Sequence, residues 1–405
     1  MRCGLLGKTL GHSYSPALHA MLGDYSYALF EKTEAELPDF LRGGGWDGLN
    51  VTIPYKKAVV PYCAALSPAA ERLQSVNTLV RRPDGTIYGD NTDLAGFLFL
   101  FDGSGLDVRG KKALVLGSGG ASVTVCEALR QRGAGQVVVI SRFGPDNYDN
   151  LDRHADAALI VNATPVGMYP RCGEEPLSLT PFPNLEGVLD LIYNPARTAL
   201  CLEAERRGLV ARGGLAMLAA QARASAEQFL GREIPADRVG ALTEALRKKT
   251  ENLILVGMPG CGKSTVGRAL AAKLGRPFLD ADEELVRTAG RSIPEIFAQE
   301  GEAGFRARET EVLRRLGGGS GAVVATGGGA VLREENYDAL HQNGHIVWLR
   351  RDLGLLPREG RPLSKNADLA AMYEARAPRY ARFADATIEN DGTPEDAAEA
   401  IISNW

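Results

Sequence analysis

The run Gly257-Met258-Pro259-Gly260-Cys261-Gly262-Lys263-Ser264 fits the spacing G-x-x-x-x-G-K-[ST]. Glycines at these positions let backbone N–H groups turn inward around phosphate oxygens. The N-terminus of the helix that follows adds partial positive charge. In such a loop Lys263 reaches the β- and γ-phosphates of a nucleotide, and the Ser264 hydroxyl ligates Mg²⁺. A bare glycine-rich turn with an exposed lysine leaves the full pattern unexplained. Downstream, Phe278-Leu279-Asp280-Ala281-Asp282 reads as a strand end projecting two carboxylates to one side, one for a metal shell and one to orient and deprotonate a hydroxyl. Taken alone, an Asp here reads better as the N-cap of a helix, before Glu283-Glu284-Leu285. Arg306 and Glu309 have the spacing of a surface pair on a helix. Thr326-Gly327-Gly328-Gly329 follows an apolar run, Gly321 to Ala325, and would allow close backbone approach to a ligand. Arg358 to Leu363 forms a basic loop, and a second basic stretch runs from Arg376 through Arg379 to Arg382.

A second group of residues points to different chemistry. Val115-Leu116-Gly117-Ser118-Gly119-Gly120-Ala121-Ser122 ends a strand and opens a helix, the arrangement that sets a dinucleotide pyrophosphate on a helix end, although Ser122 takes the third glycine position. The next strand ends in Ser141-Arg142, where a cofactor without a 2′-phosphate would meet an acid, so Arg142 favours NADP over NAD; Asp146 and Asp149 lie nearby. In Gly11-His12-Ser13-Tyr14-Ser15-Pro16, an extended chain would turn both hydroxyls the same way, ready for one carboxylate. Loop filler, or a cap for the helix after Pro16, is the plainer reading. Asn50 to Lys56 reads as a strand followed by a helix from Pro54, and Ser75-Val76-Asn77-Thr78 and Gly89-Asp90-Asn91-Thr92-Asp93 add hydrogen-bonding groups. A ketone reduction needs a proton donor and a partner that tunes it, and a Lys–Asp pair supplies both. Spacing alone leaves Lys56 as a surface lysine and Asp93 as a helix cap.

Positioning such groups requires parallel sheets, and strand and helix patterns alternate throughout the chain. Strand-like runs are Lys111 to Leu116, Gln136 to Ile140, Ala157 to Val161, Asn252 to Val256, Gly321 to Ala325 and His345 to Leu349. The polar seam Arg247-Lys248-Lys249-Thr250-Glu251, after a helix-like stretch from Ala236 to Leu246, reads as a short linker. Gly317 to Gly321 reads as a helix-to-strand loop. The 405 residues suffice for about two or three domains. With 45% hydrophobic and 24% charged residues, the composition excludes a disordered chain and a small disulfide scaffold. A formal net charge of −4 argues against a general nucleic-acid binder. The absence of a long apolar run or signal-peptide pattern argues against a membrane span, and six scattered cysteines fit a cytoplasmic protein. His341 and His345 are spaced to share a helix face, and without a third ligand they read as a solvated pair.

In the order and spacing of its motifs, the segment from about Leu253 to Ile402 resembles shikimate kinase. The resemblance implies nucleotide contacts at Gly260, Gly262, Lys263, Ser264 and Thr265, and Mg²⁺ held by Ser264 and Asp280. It implies a base at Asp282, shikimate bound by Asp282, Arg306, Gly328, Gly329 and Arg376, and Arg361 as a lid arginine over the transferring phosphoryl. Residues 1 to about 246 resemble shikimate dehydrogenase, from the Ser13/Ser15 motif to Gly214-Leu215-Ala216-Met217-Leu218-Ala219-Ala220-Gln221. There the resemblance implies the catalytic pair Lys56 and Asp93. It implies substrate contacts at Ser13, Ser15, Thr52, Asn77, Asp93, Tyr193 and Gln221, and NADP(H) contacts at Gly117, Gly119, Gly120, Ala121, Arg142, Asn162 and Met217. Two departures concern the cofactor: Ser141 stands where the family often has Asn, and no second basic residue follows Arg142 closely.

The expected fold is α/β: a substrate domain over 1–100, completed by helices in about 214–246; a Rossmann NADP-binding domain over 101–246; and a P-loop kinase domain with a parallel sheet over 252–405. The expected activities are NADPH-dependent reduction of 3-dehydroshikimate to shikimate and MgATP-dependent phosphorylation of shikimate, with these small molecules, not nucleic acid or membrane, as partners. The rival readings are an NAD-dependent quinate/shikimate dehydrogenase fused to the kinase, and a non-catalytic shikimate-sensing regulator.

Overall fold

Three sets of short apolar runs build three sheets in the computed structural model, which describes residues 1–11, 13–356 and 369–405. In the first, Arg2–Gly7 lies between Ser26–Glu31 and Gly48–Val51, all parallel. Thr78–Arg81 and Ile87–Asp90 then follow as antiparallel neighbours, and Ala65–Leu66 closes the edge. The second sheet is wholly parallel, in the order Val210–Arg212, Gly187–Asp190, Leu159–Asn162, Lys112–Leu116 and Gln136–Ile140. The third is also parallel, in the order Phe278–Asp280, Val323–Ala325, Asn252–Val256, Gly344–Arg350 and Ala386–Glu389.

Parallel strands are covered on both faces, which explains why their central members are continuously apolar. Leu114, Val115 and Leu116 are fully buried, as are Leu253, Ile254, Leu255 and Val256. The parallel arrangement also brings the strands' carboxyl ends to one edge. Gly117 and the ends at Asn162 and Asp190 share an edge of the second sheet, while Asp280, Thr326 and Gly257 share an edge of the third. The chain divides into two compact units: one of 1–168, 174–193 and 200–247, the other of 169–173, 194–199 and 248–405. In the first unit, helix Leu215–Leu230 packs on Thr92–Ser104 so closely that a Cβ at Gly96 would lie 2.8 Å from the Met217 carbonyl. No helix among the described residues is long and apolar enough to cross a membrane, and all six cysteines are free thiols.

Several local expectations are corrected. The polar seam is not a loop: the helix runs Arg238–Thr250 and strand Asn252–Val256 starts two residues on. Helix-favouring lysines and the Arg247–Glu244 pair at 2.8 Å carry the helix through it. No helix starts at Pro54; residues 53–59 are successive turns leading to the 3₁₀ segment Val60–Tyr62. Pro61 lacks the N–H that would extend a helix there. Helix Ile293–Gly318 absorbs the first two glycines of the expected glycine loop. His341 ends helix Glu335–His341 while His345 lies in strand Gly344–Arg350, so the two share no helix face.

Gly317 shows why that run is glycine. A Cβ there would overlap the carbonyl oxygen of Ala339 on the adjoining helix. Gly317→Ala is expected to destabilise the protein by about 1–3 kcal/mol. Gly240→Ala, on an exposed helical turn where a Cβ meets nothing within 4 Å, should be neutral or stabilising by up to about 1 kcal/mol. Denaturant midpoints of the two variants against wild type check the pair.

Candidate active sites

In the first unit a cavity of about 290 Å³ collects residues from distant parts of the chain. Lys56 comes from the turns after strand Gly48–Val51, and Asp93 from the first turn of helix Thr92–Ser104. Asn91 caps that helix by accepting from the Leu94 N–H at 3.3 Å, which fixes the turn carrying Asp93. The Lys56 ammonium donates to Asp93 Oδ2 at 2.6 Å, and both side chains are largely shielded. Asn77 Oδ1 accepts from the Thr92 N–H at 2.7 Å and from the hydroxyls of Thr78 and Thr92 at 3.1 Å. With its oxygen occupied, Asn77 offers a ligand its NH₂. Ser13 and Ser15 both line the cavity but not as an extended pair: Ser15 opens helix Ser15–His19, and Ser13 Oγ accepts from the Ser15 N–H at 3.2 Å. The turn wins over extension because Pro16 presets helical φ.

Thr52, Tyr193, Gln221, Met217 and Ala121 also line the cavity. Tyr193 packs on Tyr14 with ring centroids 5.5 Å apart, and burial pushes its phenol above the usual tyrosine range. Met217 and Gln221 lie one turn apart on helix Leu215–Leu230. Beside the cavity, helix Gly120–Gln131 starts at Gly119, and Cβ atoms at Gly119 or Gly120 would enter open space. That bare N-terminus, with positive φ at Gly117, fits the diphosphate of a dinucleotide. Ser122, in place of the third glycine, is buried without disturbing the helix. Arg142 is exposed past strand Gln136–Ile140, 5.7 Å from the Phe143 ring centroid. Asp146 is engaged by His154 at 3.0 Å. Asn162 is fully buried, donates to both Asp190 carboxylate oxygens at 3.1 Å and accepts from Thr164, so its side chain shapes the loop after strand Leu159–Asn162.

The second unit holds a larger cavity of about 1010 Å³. Gly260, Gly262, Lys263, Ser264 and Thr265 line one wall. Gly262, at φ +97°, caps helix Lys263–Leu274. Lys263 is 7% exposed, and its ammonium donates to the Gly257 and Met258 carbonyls at 2.9 and 3.0 Å. Ser264 Oγ donates to Asp280 Oδ2 at 2.6 Å, a hydroxyl–carboxylate pair suited to a Mg²⁺ shell. Asp280 both ends strand Phe278–Asp280 and caps helix Ala281–Ala289, accepting from the N–H groups of Asp282 and Glu283. Asp282 therefore sits on the helix and not on the strand, yet it lines the same cavity.

Arg306 and Glu309 do pair, at 2.6 Å, but not on the surface: they are 7% and 2% exposed. The glycine triplet is shaped around them. A Cβ at Gly327 would lie 2.6 Å from Glu309 Oε1 and 3.0 Å from Asp282 Oδ1, one at Gly328 would meet the Pro259 ring, and one at Gly329 would overlap the Arg306 guanidinium. Arg376 lines the cavity and donates to the Gly328 carbonyl at 3.1 Å, as does the Tyr380 hydroxyl. Arg361 and the basic loop around it lie outside the described residues. Sequence motifs did not single out Arg351, which also lines the cavity; its only signal was its place directly after an apolar strand.

Burial pushes the Glu309 carboxyl above its ordinary value of 4.5, and Asp282 adds to this, against the pull of Arg306. A carboxyl raised in the folded state binds its proton more tightly there. The stability it contributes is complete below pH 4.5 and is lost as pH rises through the folded value. Glu309→Gln removes that dependence. Its stability relative to wild type should therefore improve as pH rises from about 4 toward neutral, read from denaturation midpoints across pH.

A family model described as shikimate kinase matches residues 259–405, and one described as the shikimate dehydrogenase substrate binding domain matches residues 5–79. The shikimate dehydrogenase (NADP(+)) of Methanopyrus kandleri is 38% identical over 267 residues, 58% of this chain and 91% of that protein. The shikimate kinase of Ruegeria pomeroyi is 47% identical over 161 residues, 38% of this chain and 81% of that protein. Among solved structures, shikimate 5-dehydrogenase from Thermus thermophilus, in complex with NADP(H) and shikimate, aligns with a TM-score of 0.55 and 32% identity over 60% of this chain and 99% of that one. The chain therefore belongs to the shikimate dehydrogenase family in its first part and to the shikimate kinase family in its last, a fusion of the two enzymes.

Proposed function

We propose that the first unit reduces 3-dehydroshikimate to shikimate with NADPH and that the second phosphorylates the 3-hydroxyl of shikimate with MgATP. One observation carries the reading most. Lys56 and Asp93, 37 residues apart, join at 2.6 Å on the wall of the cavity that also holds Ser13 and Ser15. The working modules are 1–100 with helices in about 214–246 for substrate, 101–246 for the dinucleotide, and 252–405 for phosphoryl transfer.

In the first site Ser13 and Ser15 hold the substrate carboxylate through their hydroxyls. Thr52, Asn77, Tyr193 and Gln221 orient the ring. Lys56, held by Asp93, gives its proton to the carbonyl oxygen as the carbon is reduced. Gly117, Gly119, Gly120 and Ala121 would hold the cofactor diphosphate, Met217 would contact the nicotinamide, and Arg142 would hold the 2′-phosphate. In the second site the loop with Gly260, Gly262, Lys263 and Thr265 binds the nucleotide phosphates. Ser264 and Asp280 would hold Mg²⁺, and Asp282 orients the attacking hydroxyl and takes its proton. Arg306 and Arg376 clamp the carboxylate with charge-assisted bonds, next to the Gly328–Gly329 backbone. When bound, NADPH supplies the hydride and Mg²⁺ neutralises phosphate charge. Positioning and charge stabilisation are what this chain contributes to phosphoryl transfer.

A coupled assay with 3-dehydroshikimate, NADPH and MgATP, following pyridine absorbance and ADP release together, tests the reading. Lys56→Ala should lower the redox rate by about 10²–10⁴-fold and leave phosphorylation unchanged. Lys263→Ala should do the reverse, and loss of both activities in either folded variant would refute separate sites. Arg142→Ala should raise KM for NADPH more than for NADH. A faster wild-type initial rate with NADH would transfer the reading to an NAD-dependent dehydrogenase. Shikimate binding without turnover would make the chain a sensor.

A further inference from the structure

The second cavity holds a cation that the reactions above do not use. Arg351 directly follows strand Gly344–Arg350, and its side chain lines the cavity. The backbone on either side of it is tied down. The Arg350 carbonyl accepts from the Asn390 N–H at 2.7 Å, and the Asp352 N–H donates to Asp391 Oδ1 at 2.9 Å. Arg350 itself pairs with Glu389 at 3.2 Å. Arg351 has no hydrogen bond or ion pair among the described residues, and its Nε is buried without an acceptor.

Its surroundings explain what is missing. Arg351 Nη1 lies 3.8 Å from the point a Cβ of Gly262 would occupy, and Asn390 Nδ2 lies 2.6 Å from the same point. Asn390 donates to the Cys261 carbonyl at 2.6 Å and so pins the loop from that side. Arg351 thus reaches the phosphate loop where the N-terminus of helix Lys263–Leu274 already concentrates donors and positive charge. A buried N–H with no acceptor is costly, and native structures rarely leave one unanswered. A guanidinium among other donors, with no anion beside it among the described residues, is half of an ion pair that a bound anion would complete.

We propose that Arg351 binds the nucleotide directly, donating to β-phosphate oxygens held in the loop Gly257 to Ser264. The assignment rests on the reading of that loop as the MgATP site. It adds a contact that depends on the strand end after Trp348-Leu349-Arg350 and not on any glycine-loop motif.

Calorimetric titration of the full chain with MgADP and with AMP tests this. Arg351→Met should weaken MgADP roughly 10- to 100-fold, the usual effect of losing a charge-assisted contact. AMP, which lacks the β-phosphate, should lose less than about threefold, so the preference for ADP over AMP shrinks. KM for shikimate should stay within about twofold of wild type. The thermal midpoint of the nucleotide-free variant should not fall, because no described protein partner is lost, while its stabilisation by MgADP should shrink. Arg351→Lys keeps the charge without the fork and should fall between the two. Equal losses for ADP and AMP would put the guanidinium on the base, sugar or α-phosphate and overturn the assignment, as would unchanged MgADP affinity. A wild-type protein that takes up no MgADP would overturn the MgATP reading and this assignment together. That result differs from the variant-specific one and is read in the first titration.

Discussion

A lysine only 7% exposed needs fixed polar groups to replace the water its ammonium has lost, and Lys263 takes them from the carbonyls of Gly257 and Met258. That solution constrains the rest of the second unit. The fully buried strand Asn252–Val256 must end in a residue able to adopt φ +150°, as Gly257 does, so that the chain curls back over the lysine. The helix must then begin at Lys263, which aims its N-terminus into the cavity and brings Ser264 to Asp280. Asp280 is in reach because Phe278–Asp280 is the second strand from Asn252–Val256, with Val323–Ala325 between them. Sheet order, loop shape and charge burial form one dependency.

The first unit meets the same requirement differently. Lys56 is answered by a carboxylate, Asp93, and that carboxylate is placed by a capped helix whose first N–H groups are shared between Asn91 and Asn77. A side-chain partner holds the ammonium in one direction without enclosing it, whereas backbone carbonyls enclose it. The first cavity is correspondingly small, about 290 Å³, and walled largely by uncharged groups; the second, about 1010 Å³, is walled by cations and acids from several elements.

Motifs confined to one stretch of chain were legible in the sequence. The phosphate loop, the strands Gln136–Ile140 and Asn252–Val256, and the helix after Gly119 fall where glycine spacing and apolar runs put them. Burial was not legible. The i,i+3 spacing of Arg306 and Glu309 is the same in water or in a core, and only the glycines packed against the pair disclose which one holds. Short polar stretches also misled. Pro54 can start a helix, but Pro61 prevents one, and lysines in the seam before Glu251 extended a helix where a linker was expected. The partner of Asn162 was not legible either, because Asp190, which holds its amide, is distant in sequence. Arg351 had no motif at all; its meaning comes from strand order, which puts Gly344–Arg350 beside Asn252–Val256.

The contrast in charge between the two cavities follows from what each is proposed to admit. A carboxylate entering the first site as proposed meets Ser13, Ser15 and an NH₂ from Asn77, while Lys56, the one cation among the described lining residues, is already balanced by Asp93. Neutral hydrogen bonds suffice because the dinucleotide phosphates have their own helix N-terminus at Gly119. In the second site the same acid must approach a triphosphate, and two anions in one cavity repel strongly where water is scarce. Lys263, Arg306, Arg351 and Arg376 all line that cavity and supply the opposing charge, with Asp280, Asp282 and Glu309 offsetting part of it. The arginines of the second site are therefore what the second reaction requires and the first does not.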